Sequence, residues 1–364
     1  MWKEERLADI AKFYKGTGIS KDQLSDEGEP CILYGELYTK YKSETIGKVI
    51  SKTNIDNTKL VKSKTNDVII PCSGETAEDI ATARCVLNDN ILLGGDLNII
   101  RLHGYDGTFM SYQLNGKRKY DIARVAQGVS VVHLYGEHLK GVKTINPCLE
   151  EQKKIANLLS LLDERIATQN KIIEDLKKLK SAISKKLLCN DKWTTYKIQD
   201  IAEIGRGRVI SSVEIDRQKH PLYPVYSSQT SNDGIMGYLD SYMFDGEYIT
   251  WTTDGANAGT VFYRKGKFNC TNVCGTLKIQ PKFDCYFVSL VLQQATQKYV
   301  SSNLANPKLM NNTMASIKIR MPNIETQKQL SKVFQTLDSC LLVHQRTCKM
   351  YLSEKQYLLC QMFI

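Results

Sequence analysis

Pro147-Cys148-Leu149-Glu150-Glu151-Gln152-Lys153-Lys154-Ile155 returns 175 residues later as Pro322-Asn323-Ile324-Glu325-Thr326-Gln327-Lys328-Gln329-Leu330. Each copy opens a stretch free of glycine and proline, Glu150 to Leu188 and Glu325 to Ile364. A proline just ahead and acids in the first turn suit a helix start, where the positive end of the helix dipole favours carboxylates. Apolar residues then recur at spacings of alternately four and three. In the first stretch they are Ile155, Leu159, Leu162, Ile166, Ile173, Leu176, Ile183 and Leu187. In the second they are Leu330, Phe334, Leu337, Leu341, Cys348, Tyr351, Leu358 and Met362. This is the seam of a coiled coil. Even the polar breaks coincide, Gln169 with His344 and Lys180 with Lys355. Such breaks cost stability but help set register. A helix of about 38 residues is roughly 57 Å long at about 1.5 Å per residue. One reading has two amphipathic helices, each packed on its own domain. Two matching seams in one chain favour a second reading, in which the helices pack on each other as an antiparallel pair and hold two globular units apart.

A second repeat lies upstream of each helix. Trp2-Lys3-Glu4-Glu5-Arg6-Leu7-Ala8-Asp9-Ile10-Ala11 resembles Trp193-Thr194-Thr195-Tyr196-Lys197-Ile198-Gln199-Asp200-Ile201-Ala202, a shift of 191 that extends to Gly16 with Gly207 and Ser20 with Ser211. The second unit is therefore 16 residues shorter between the matched ends. The expected layout is a first globular domain over 1–149, a central helix over 150–190, a second domain over 191–324 and a distal helix over 325–364. Between the matched ends the two units look unlike each other, so the frame repeats while its contents differ.

Short strand-like runs fill both units. Unit one has Asp67-Val68-Ile69-Ile70, Asn90-Ile91-Leu92-Leu93 and Val129-Ser130-Val131-Val132-His133-Leu134; unit two has Tyr248-Ile249-Thr250-Trp251 and Gly275-Thr276-Leu277-Lys278-Ile279. Arg118 to Ala126 and Phe287 to Tyr299 read as helices. The predicted fold class is α+β: two mixed α/β domains separated by two long helices that form an antiparallel coiled coil.

The chain has 364 residues, 42% hydrophobic and 24% charged, normal for two soluble domains with cores of their own. Its formal charge of +10 fits a polyanionic partner without requiring one. Eleven cysteines are scattered, and the charged opening Met1-Trp2-Lys3-Glu4-Glu5-Arg6 does not read as a signal peptide, so reduced thiols in a cytoplasm are expected. Cys270 and Cys274 have no second ligand pair nearby in sequence, so no metal site is expected. No apolar run is long enough to cross a bilayer.

Basic and small polar residues cluster where the chain reads as loops. In unit one these are Lys62, Lys64, Ser73, Thr76, Lys117, Arg118, Lys119 and Gln127. In unit two they are Arg206, Arg208, Ser228, Gln229, Thr230, Arg264, Lys265, Lys267, Asn306 and Lys308. Lys and Arg neutralise phosphates, while Ser, Thr, Asn and Gln position on the backbone or read base edges. Catalytic candidates are lacking. There is no phosphate-binding G-x-x-x-x-G-K-[ST] loop and no H-E-x-x-H. Asn146-Pro147-Cys148 and Asn306-Pro307-Lys308 fail the Asn-Pro-Pro-aromatic pattern of amino-methyltransferases. Glu174-Asp175-Leu176-Lys177 lies mid-helix and reads as helix surface.

The order of globular unit, Pro-x-x-Glu-x-Gln helix, globular unit and matching helix resembles the specificity subunits of type I restriction-modification systems. The residues that carry the resemblance are Pro147, Glu150, Gln152, Ile155, Leu159 and Asp163, and again Pro322, Glu325, Gln327, Leu330, Phe334 and Asp338, with the domain openings at Trp2 and Trp193. The resemblance implies a non-catalytic DNA-reading chain. Each target-recognition domain would read one half of a split, asymmetric site in double-stranded DNA, with the helix pair setting the spacer. Methyltransferase subunits would dock along the helices and bring S-adenosylmethionine. A motor-nuclease subunit would bring ATP and Mg, and this chain would hold no cofactor itself. Two competing readings stand beside it: a protein-interaction module on a coiled-coil spacer, and an autonomous enzyme.

Overall fold

In the computed structural model the described residues are 2–128, 131–188, 190–301 and 306–363. They form two compact units, Met1–Ile172 with His344–Ile364, and Ile173–Val343. Each unit thus takes half of each long helix, whereas the sequence layout set the helices apart from the globular domains. The reason is burial: the helix halves cover the cores. Ile155, Ala156 and Leu159 pack with Phe109 and Tyr112, and Phe334 joins the main core of the second unit.

In the first unit, strand Lys3–Arg6 pairs antiparallel with Lys143–Asn146, Lys3 opposite Asn146. A short helix, Leu7–Ile10, leads into a five-stranded sheet ordered Ala11–Lys15, Leu97–Leu102, Asp67–Pro71, Arg84–Val86, Thr45–Ile46. Val68, Ile69 and Ile70 are all buried, as expected of a strand covered on both faces. Helix Gly107–Asn115 lies against this sheet, capped by Asp106, whose carboxylate accepts from the Phe109 N–H.

The second unit repeats the plan. Thr194–Lys197 pairs with Lys318–Met321, Thr194 opposite Met321, so both shifts read from sequence hold in this one register. The sheet is four-stranded: Ala202–Arg206, Cys274–Ile279, Glu247–Thr252, Val261–Lys265. Helix Cys285–Ala295 is capped by Asp284 just as its counterpart is by Asp106. Among the described residues the second unit has no fifth strand in this sheet and a three-stranded rather than four-stranded side sheet, in keeping with its shorter length. Trp2 packs edge-on against Phe109 and Trp193 edge-on against Phe287, which accounts for the repeated tryptophans. Gly16 and Gly207 recur for a steric reason: a Cβ would lie 2.0 Å from the Gly94 carbonyl oxygen at the first and 2.1 Å from that of Cys270 at the second.

The long helices run Leu149–Leu187 and Ile324–Met362. Every seam position is buried or half-buried except Leu187, at the helix end. Within the first unit the two helix segments are antiparallel. Going up the central helix, Asp163, Arg165 and Gln169 meet Lys355, Tyr351 and His344 in turn. Within the second unit Lys180 meets Asp338, and Ile183 packs in one cluster with Leu330, Phe334 and Leu337. Two strand expectations shrink: Asn90–Leu93 to Leu92–Leu93, and Val129–Leu134 to Val132–His133, Val129 and Ser130 lying outside the described residues. Arg118–Ala126 is found as helix Lys119–Val125, and Phe287–Tyr299 as helix Cys285–Ala295 plus a 3-10 turn.

Candidate nucleic-acid interface

The repeated Pro-x-x-Glu-x-Gln motif acts as a lock at the base of each unit. Gln152 is buried. Its amide donates to the Pro147 carbonyl at 2.9 Å, and its side-chain oxygen accepts from the Asp106 N–H at 2.9 Å. Gln327 does the same with Pro322, at 2.8 Å, and Asp284, at 3.0 Å. One side chain thereby ties the helix start to the cap of the helix under the sheet. Leaving either buried group unpaired would cost about 1–3 kcal/mol.

Further along the central helix, Asp163 accepts from the Tyr112 hydroxyl at 2.6 Å and pairs with Lys355 at 2.6 Å. At the matching place on the distal helix, Asp338 accepts from Tyr286 at 2.5 Å and pairs with Lys180. One polar break of each seam is therefore a lysine that meets the other helix's aspartate, while the other two, Gln169 and His344, meet each other. Lys355 also meets buried Glu44 at 2.5 Å. Burial, aided by the nearby Asp163 charge, holds the Glu44 carboxyl above its usual range despite Lys355. Burial and the Asp163 charge push the Tyr112 phenol well above its ordinary value.

The candidate DNA-contacting residues fall into several groups. The Lys64 backbone N–H donates to Asp67, whose carboxylate takes Arg101 in a bidentate pair, and Arg101 also reaches the Lys62 carbonyl. Ser73 and Gly74 line a cavity of about 600 Å³ with Tyr34, Tyr38, Glu75 and Asp79. Thr76 spends its hydroxyl oxygen capping helix Ala77–Ile80. Gln127 exchanges backbone hydrogen bonds with His133, opposite Ser73. Lys117, Arg118 and Lys119 lie at the start of helix Lys119–Val125, where Arg118 pairs with Asp121.

In the second unit Arg206, Asn306 and Lys308 converge on the turn at Asp254. Arg206 is 3.6 Å and Lys308 4.0 Å from the Asp254 carboxylate, and the Asn306 oxygen lies beside Gly255. Arg208 pairs with Glu214 on the neighbouring short helix, and that partner raises its pKa. Ser228, Gln229 and Thr230 precede the turn containing Asp233 and Gly234. Arg264 and Lys265, expected on a loop, end strand Val261–Lys265 instead. Arg264 is buried, only 4% exposed: it pairs with Asp233 at 2.7 Å, donates to Thr250, and lies 3.6 Å above the Tyr226 ring. Its strand position turns it inward, where it holds that turn in place. Lys265 pairs with Glu247, and Lys267 lies over the Tyr242 ring.

The sequence pattern of the type I restriction modification DNA specificity domain matches residues 1–178 and 190–349. The chain belongs to this family. The putative type I specificity subunit S.MpnORF201P of Mycoplasma pneumoniae is 40% identical over 190 residues, 51% of this chain and 79% of that one. The N-terminal part of another putative subunit from that organism, S.MpnORF289P, is 44% identical over 147 residues, 39% of this chain and 76% of the relative. In fold, the chain is similar to the S subunit of a type I restriction-modification system from M. genitalium, with a TM-score of 0.73 at 19% identity, covering 100% of this chain and 96% of that one. Family membership accounts for the doubled frame. Among the described residues no helix is long and apolar enough to cross a membrane.

Sequence reasoning did not single out Asp254, where Arg206 and Lys308 converge, or His133, which lies opposite Ser73, since neither reads as a cationic or amide loop group. It also missed Tyr112 and Tyr286, which reach equivalent aspartates from non-equivalent helix positions. The one available signal was the shift of 175, which continues upstream of Pro147 to pair His133-Leu134 with Lys308-Leu309.

Proposed function

We propose that this specificity-family chain binds double-stranded DNA without catalysing, each unit reading one half of a split and asymmetric site. The helix pair sets the unread spacer and, with its exposed apolar side chains, docks methyltransferase subunits. Those subunits supply S-adenosylmethionine chemistry, and a motor-nuclease subunit supplies ATP-driven cleavage, in the cytoplasm. The observation that carries this is the duplicated lock: Gln152 on Asp106 and Gln327 on Asp284 hold two frames of one design whose loops carry different side chains. Equal frames with unlike loops suit two readers of unlike half-sites. Leu158, Leu161, Met350 and Leu352 in the first unit, and Val333, Leu342 and Val343 in the second, are large, apolar and exposed on the helices. Surface of this kind fits a protein partner better than DNA.

The test is duplex binding by the full chain, with and without methyltransferase subunits, across a salt series. Steep loss of affinity with salt, together with preference for one bipartite sequence, is expected. No binding in either state would overturn the reading.

A further inference from the structure

We propose that the two half-sites are told apart at one equivalent place in each unit, formed by Lys15, Ser73 and His133 in the first and by Arg206, Asp254 and Lys308 in the second. This rests on the DNA-reading function above and names where that reading is done.

The equivalence comes from the backbone. Lys15 and Arg206 each end the first sheet strand, related by the shift of 191, and sit opposite Asn98 and Gly275 on the next strand. The strand two places across, Asp67–Pro71 or Glu247–Thr252, runs out into the short strand Ser73–Gly74 in the first unit and the turn at Asp254-Gly255 in the second. A return segment lies against each. The Leu134 N–H donates to the Cys72 carbonyl at 2.9 Å, and the Leu309 N–H to that of Thr253 at 2.9 Å. This sets His133 opposite Ser73, and Lys308 opposite Asp254. The return segments are related by the shift of 175, so two independent shifts and one sheet register converge on the same point.

In the second unit the cation reaches the turn. Arg206 donates to the Thr253 hydroxyl at 3.0 Å and lies 3.6 Å from Asp254. In the first unit Lys15 holds the equivalent strand end, exposed and opposite Asn98. The next exposed position also matches: Tyr135 and Met310 are both large, apolar and exposed, and each immediately precedes a short helix, Gly136–Lys140 or Asn311–Ser316. An exposed apolar side chain beside hydrogen-bonding groups can meet a thymine methyl.

What differs is the chemistry set on this common platform. The second unit offers a carboxylate between two cations; Lys and Arg suit guanine O6 and N7, and Asp suits cytosine N4. The first unit offers a hydroxyl and an imidazole beside a single lysine. Different donor and acceptor patterns on one scaffold select different bases.

The experiment maps methylated positions in random-sequence duplexes treated with the full chain and its methyltransferase subunits, comparing wild type with His133→Ala and Lys308→Ala. Each variant should lose roughly 5- to 150-fold of base preference, the usual range for one good contact, within its own half-site only. His133→Gln and Lys308→Gln serve if an alanine variant accumulates poorly. Unchanged preference in both half-sites would overturn the proposal. So would an equal loss on all sequences with a shallower salt dependence, which marks a phosphate contact. Failure of the wild type to bind any duplex would instead bring down the DNA-reading function itself.

Discussion

Lys355 stands at a polar break in an otherwise apolar seam, yet it is only 14% exposed and is shared by Asp163 and Glu44, at 11% and 9%. Its counterpart Lys180 is 25% exposed and meets one aspartate that is 39% exposed. The same residue type at the same seam position should therefore carry very different weight. Replacing Lys355 with methionine leaves two buried carboxylates uncompensated, which costs about 3–5 kcal/mol. Replacing Lys180 strips a solvent-screened pair, worth about 0–1 kcal/mol. Amide exchange in the sheet strands of each unit would resolve the two; equal losses would contradict this account. Glu44 adds a pH signature. Its carboxyl is raised above the ordinary value of 4.5, so the folded state holds a proton that the unfolded state has already released. Its contribution is full below that value and is lost as pH climbs through the raised one. Stability of wild type relative to Glu44→Gln should fall over that window; a flat difference would refute the assigned environment.

At the scale of elements, the seam was the most legible feature, because alternating spacings of four and three over a long stretch arise only where one face of a helix is packed. Its depth was not legible. Phe334 is fully buried whereas Leu341, the seam position seven residues on, is only half-buried, and its off-seam neighbour Leu342 is 46% exposed. Phe334→Ala should cost about 3–5 kcal/mol and Leu342→Ala within about 0.5 kcal/mol, as read by denaturant unfolding; similar costs would mean that the two positions are not differently buried. The glutamine locks are visible in sequence as part of a motif, but their function was hidden. Their partners Asp106 and Asp284 lie over forty residues upstream, and no local pattern joins them. Arg264 misled for a similar reason. Beside Gly266 it reads as a loop cation, and only the strand pairing shows that it points inward.

For the whole molecule, the repeat disclosed the plan of two units on one frame, since both shifts survive in a single strand register. The places where the units read DNA stayed obscure, because they are made from strand ends and turns brought together by long-range pairing. The central claim is that the two helices fix the spacing between two independent readers. Inserting one heptad into each helix, between Asn170 and Lys171 and between Val343 and His344, tests it most directly. About 10 Å of added helix corresponds to about three base pairs. The methylated sites of the assembled complex should keep both half-sites and gain a longer spacer; an unchanged spacer would contradict the account.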